Sequence, residues 1–164
     1  MASTSAGAAP RRNVLGAILA GGFMAATFDF FAAMLIYGGT ASGVAHAIAR
    51  GWFGAAVKTM PPIVDVIGIA SHYAILLVAA AIFVLASLRF PILRQRAWIA
   101  GPLFGICIYL VMHFVVLPLS AVHAMNNPKG LQFVEEFLGH MFVIGLPIAL
   151  WARALVGGTE TAGP

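Results

Sequence analysis

Asp29, His72, His113 and His140 each interrupt a different apolar stretch that is long enough to cross a membrane. Imidazole nitrogen and carboxylate oxygen together suit divalent zinc, iron, nickel or copper. Two histidines facing each other across a helical bundle can instead hold haem iron from both sides. The same four groups, titrating in turn, can relay protons. A histidine in a membrane also serves more simply, by hydrogen-bonding a neighbouring helix. Ionisable side chains at such depth are costly unless they face protein or water, so their presence is the functional signal of this chain.

The elements that must position them are four spans, expected at Val14–Tyr37, Ile63–Leu88, Trp98–Leu119 and Leu131–Leu155. All read as helices, because a chain in hydrocarbon has to satisfy its own backbone hydrogen bonds. Span direction alternates, so the depth of each residue can be counted from the same end of the bundle. Asp29 lies eight residues and His113 six before the end of their spans, while His72 and His140 each lie nine after the start of theirs. At 1.5 Å per residue all four fall roughly 9 to 14 Å below one boundary. His72 and His113, on consecutive helices at comparable depth, lead as ligands; His140 follows, and Asp29 serves as ligand or counter-charge. Helical spacing extends the set to Asp65, seven residues before His72, Tyr109, four before His113, and Glu136, four before His140.

Of the 164 residues, 62% are apolar and 9% charged, a composition that excludes water as the solvent for most of the surface. One compact membrane domain over 13–156 is expected, between flexible cytoplasmic tails at 1–12 and 157–164. The net charge of +4 needs no nucleic acid to explain it, since most basic residues flank spans. Arg11 and Arg12 precede the first span, Arg89, Arg94 and Arg96 link the second to the third, and Arg153 closes the fourth. The positive-inside rule then puts both termini in the cytoplasm of a multi-pass bacterial inner-membrane protein. The first apolar run is too long for the core of a signal peptide, so it is expected to remain as an uncleaved span.

The connection from Gly38 to Pro62 is long and still apolar. Val44, Ile48, Trp52 and Ala55 share one helical face and His46 and Arg50 the other, which predicts a short interfacial helix, or a re-entrant hairpin, ended by Pro61-Pro62. His46 and His123 are expected to be solvated interface residues. Pro118 and Pro147 should kink the third and fourth spans and free carbonyls. Gly21, Ala25 and Asp29 form a small-residue stripe leading to the acid, and Gly101 with Gly105 makes a GxxxG that marks either an internal helix contact or a dimer face. Cys107 is the single cysteine, so no intrachain disulfide forms, and a packed core thiol is expected. The seven methionines need only be packing.

No Walker loop, HExxH, GxSxG, CxxC or CxxCH occurs, so an enzymatic activity would have to use the buried cluster itself. The segments Gly21–Asp29, the stretch around His72, YLVMHFVVLPLS at Tyr109–Ser120 and GHMFVIGLPIAL at Gly139–Leu150 resemble a family of small four-helix bacterial inner-membrane proteins of uncharacterised activity. The resemblance covers the spans and not the tails. It implies that asparagine also occupies the place of His113 in such proteins, which fits a hydrogen-bonding role there better than an obligatory axial ligand.

The expected architecture is an all-α, antiparallel bundle of four transmembrane helices whose polar cluster lies near the periplasmic face. The expected function is an integral membrane protein with a haem or divalent transition-metal site at His72, His113, His140 and Asp29. The alternatives are a proton- or ion-coupled transporter subunit, and a non-catalytic accessory subunit of a larger membrane complex or homo-oligomer. Bound metal or a haem spectrum would select the first, and a wet passage to the cytoplasmic face the second. A lipid-exposed apolar groove beside an internally paired cluster would select the third.

Overall fold

The structure is a computed structural model that describes residues 13–123 and 128–157. The expected tails, with Arg11 and Arg12, lie outside the described residues, apart from Gly157. The chain is all-helical, with no strand among the described residues. Helix α1 is Val14–Ile36 and α2 is Ala41–Phe53, followed by a 3₁₀ turn at Gly54–Thr59. Helix α3 is Val64–Arg89 and α4 the single turn Ile92–Gln95. Helices α5, Ala97–Leu119, and α6, Leu131–Val156, complete the bundle. Helices α1, α3, α5 and α6 are each long and apolar enough to span a membrane, and their ends lie within one residue of the expected spans.

Local chemistry starts the first two helices. The Asn13 side chain accepts from the Gly16 N–H at 2.8 Å, and the Thr40 hydroxyl accepts from the Gly43 N–H at 3.1 Å, each satisfying a donor that the first helical turn leaves open. Helix α1 packs against α3 on one side and α6 on the other, and α5 packs against α6. The shared interior is made of small and branched residues, among them Ala25, Ala80, Val84, Ile144, Ile148 and Ala152. The stripe of Gly21 and Ala25 is buried, and at Gly21 the Cα of Ile148 on α6 comes so near that a side-chain carbon would meet it at 3.3 Å. Phe28, Phe31, Val78, Ile82, Leu103, Phe114 and Leu138 are exposed. An exterior of large apolar side chains around an interior of small ones is what lipid as a solvent permits, and the protein is a multi-pass membrane protein.

The GxxxG of α5 faces inward. A Cβ on Gly105 would lie 2.7 Å from the Met141 Cα, and one on Gly101 2.8 Å from the Leu146 Cα, so α5 and α6 touch backbone to backbone. The contact is internal to the bundle. Cys107, on the same helix, is exposed rather than packed in the core.

Helix α2 lies along the first turns of α3, with the Ala45 carbonyl against Gly68. Its inward stripe is Val44, Ala45 and Ala49. Of the apolar face expected for an interfacial helix, Val44 is buried against the bundle while Trp52 and Ala55 are exposed, Trp52 to 66%. The Trp52 indole instead donates to the Ser71 hydroxyl at 2.9 Å.

Candidate functional site

Both interior histidines of the second half of the chain stand on π-helical turns. Met112–Val116 is a π turn, as is His140–Gly145, and each is followed within two residues by a proline, Pro118 or Pro147. Proline has no N–H, and its ring collides with the carbonyl four residues back. Widening the preceding turn relieves both problems: the Leu117 N–H reaches the Met112 carbonyl, and the Leu146 N–H the Met141 carbonyl. The disturbances expected at Pro118 and Pro147 take the form of π turns, a geometry often found at functional sites.

Each histidine has one nitrogen committed to a backbone carbonyl. His72 Nε2 donates to Ala26 O at 2.9 Å, His113 Nδ1 to Tyr109 O at 3.0 Å, and His140 Nδ1 to Glu136 O at 2.8 Å. A carbonyl can only accept, so these bonds determine which nitrogen carries hydrogen in each neutral ring. The opposite nitrogen of each ring is left for chemistry: Nδ1 of His72 and Nε2 of His113 and His140.

His113 Nε2 is 3.4 Å from Glu136 Oε2 and has no hydrogen-bond partner, although His113 is only 7% exposed and Glu136 6%. The other Glu136 oxygen accepts from the Tyr37 hydroxyl at the end of α1. Tyr109 stacks on the His113 ring with centroids 4.0 Å apart and meets the His140 ring edge-on at 5.2 Å. The two imidazoles are 6.4 Å apart. On the α1 and α3 side, Asp29 Oδ2 lies 3.9 Å from His72 Nε2, and the Asp29 side chain keeps 25% of its exposure. The Tyr37–Glu136 bond joins the end of α1 to α6 and so links the two halves of the cluster.

The four expected site residues therefore lie in one region, but not as a ready ligand set. Among the described residues no three His, Cys, Asp or Glu side chains converge on a common metal position. The lateral separation between the Asp29–His72 pair and the Glu136–His113 pair is set by helix packing, which depth counting along single spans does not see. Glu136 proves central, as its spacing from His140 suggested. Tyr37 was legible only as the end of a span; in the antiparallel count it stands five residues nearer the boundary than Glu136, a step its long side chain spans.

Asp65 departs from expectation. It shares the His72 face of α3, but α2 covers that end, and Asp65 accepts from the Ser42 hydroxyl and pairs with His46 Nδ1, both at 2.5 Å. His46 Nε2 also meets the Val57 carbonyl at 3.1 Å, so His46 is a structural link while its side chain stays 34% exposed. Serine here bonds the carboxylate and not the imidazole, so the trio lacks the nucleophile-to-base contact of a hydrolase. His123 is exposed, as expected. Asp65→Ala should loosen α2 specifically: amide exchange over Ala41–Phe53 should quicken while that of α5 and α6 stays unchanged.

No protein-family model, curated protein or solved structure matches this chain. Its functional reading rests on the geometry just described.

Proposed function

We propose that this protein is a proton-handling subunit of an inner-membrane transport system, with both termini cytoplasmic and the cluster near the periplasmic face. The observation that carries the reading is the buried His113 Nε2 facing a carboxylate without a hydrogen bond. With Nδ1 donating to Tyr109 O, the Nε2 lone pair and Glu136 Oε2 repel each other unless one proton lies between them. The pair is built to hold a proton, and Tyr37, Asp29 and His140 are the groups placed to deliver or receive it. No wet passage to the cytoplasmic face is formed by the described residues, and a lipid-facing apolar groove is present, so two of the expected signs favour the accessory reading. The cluster is not fully paired internally, because His113 Nε2 is open, and this is what favours proton handling.

The far half of the bundle is lined by Ala17, Ala80, Phe83, Val84, Ile148 and Ala152, with Ser87 as a buried polar side chain tied to the Val84 carbonyl, so the described residues form no continuous polar route. Proton exchange from the cluster is accordingly one-sided in this conformation, and crossing requires helix movement of the kind that π turns accommodate. Reconstituted protein should dissipate an imposed proton gradient, and Asp29→Asn should stop the flux with helix content unchanged. Vesicles as tight as protein-free ones would overturn the proposal.

A second reading is favoured by one further observation: His113 and His140 both tie Nδ1 to a backbone carbonyl and leave Nε2 free, as a metal-binding histidine does when a carbonyl orients its ring. Haem iron or a divalent metal could take these two nitrogens, with His72 or Asp29 completing the set, once Tyr109 moved off both rings. Gently purified protein would then show a Soret band or near-stoichiometric metal, lost in His140→Ala. A colourless, metal-free protein discards this reading and leaves the first standing.

A further inference from the structure

Away from the cluster, at the opposite end of the bundle, a groove of about 350 Å³ opens between α3 and α5. These two helices meet through Phe83 and Phe104, whose rings are 5.1 Å apart, and α4 closes the end of the gap. The walls are apolar, with Ile82, Ala86, Leu93, Leu103 and Cys107 among them, and the one charged residue that lines the groove is Arg96. Ile82, Leu103 and Cys107 are exposed, so the groove faces the lipid side of spanning helices.

Charge is distributed unevenly along the bundle. Arg89, Arg94, Arg96 and Arg153 all stand at this end, whereas the acidic residues of the described chain, Asp29, Asp65, Glu135 and Glu136, all belong to the other half. Arg94 is turned inward to the Ser87 carbonyl, and the Arg89 guanidinium lies 5.5 Å from the centre of the Phe90 ring. Arg96 is exposed and has no acidic partner among the described residues.

We infer that this groove is a binding site for one anionic phospholipid, with its phosphate at Arg96 and an acyl chain along Leu93, Leu103 and Cys107. An apolar slot takes the chain by shape, and the unpaired guanidinium takes the phosphate with bidentate hydrogen bonds. Basic pockets between spanning helices hold anionic headgroups in this way. A zwitterionic headgroup would bring an ammonium group to an end where the described residues offer it no carboxylate. The site is independent of the proton-handling cluster.

The groove is left unlabelled in the test, because Cys107 lines the chain site. Detergent-solubilised protein is equilibrated with phosphatidylglycerol and phosphatidylcholine at equal mole fraction, and the phospholipid it retains is counted by native mass spectrometry. The expected result is one retained phospholipid with a preference of roughly fivefold for phosphatidylglycerol, and equal retention of the two lipids in Arg96→Gln. Arg96 is exposed, so that variant should keep the helix content of the parent. Equal retention by the parent protein would overturn the inference. A preference that survives Arg96→Gln would overturn it too, since the headgroup would then be held elsewhere.

Discussion

Gly105→Val should be the most damaging single substitution in the bundle, lowering stability by about 3 kcal/mol or more. A Cβ at Gly105 would lie 2.6 Å from the carbonyl carbon of His140 and 2.7 Å from the Met141 Cα. Both are backbone atoms on the π turn of α6, so no side-chain rotation can relieve the clash. Relief requires α5 and α6 to separate, which exposes the Gly101 and Gly145 contact along the same seam and moves the His140 ring away from Tyr109. Detergent-solubilised protein titrated with sodium dodecyl sulfate and followed by circular dichroism would show the shift in midpoint. Gly139→Ala supplies the control. That position lies one residue before the same π turn, yet nothing stands within 4 Å of its added carbon. It should be neutral or stabilising by up to about 1 kcal/mol, the usual helical gain of alanine over glycine. If both substitutions behaved alike, the backbone contact would not be what holds α5 to α6.

Glu136→Ala should cost about 3 kcal/mol, the usual range for removing one partner of a buried charged pair. The loss leaves the Tyr37 hydroxyl without its acceptor and His113 without its neighbour, in a place where water is scarce. Glu136→Gln should behave differently. Its amide can accept from Tyr37 through oxygen and donate to His113 Nε2 through nitrogen, so stability should fall by only about 1 kcal/mol. Proton flux should nevertheless stop, because an amide does not exchange its proton with the imidazole. A double replacement, Glu136→Leu with His113→Phe, removes both members of the pair and loses the Tyr37 bond just as Glu136→Ala does, but it leaves no lone imidazole beside the site and fills the space, so it should be less destabilised than Glu136→Ala alone. The same denaturation assay checks stability, and the reconstituted flux assay checks function. Flux that persisted in a folded Glu136→Gln variant would show that the Glu136–His113 pair is not the proton-holding element.

The line between what could be read along the chain and what could not follows the range of the interactions involved. Lipid requires unbroken apolar runs and internally bonded backbone, both local properties, so the four spans and their ends were legible from residue types alone. Depth is equally local, and the level at which Asp29, His72, His113 and His140 sit could be counted at 1.5 Å per residue. So could the pairing of Tyr109 with His113 and of Glu136 with His140 on single helical faces. Helix rotation and lateral distance depend instead on contacts between segments far apart in the chain. Only the tertiary structure decided that Asp65 is captured by α2, that Tyr37 reaches Glu136 and that Cys107 lines an open groove. The prolines announced a disturbance, but that it takes the form of π turns beginning at Met112 and at His140, beside the close packing of Gly101 and Gly105 against α6, is seen only in the tertiary structure. No single segment carries that information, because the contact joins two helices far apart in the chain.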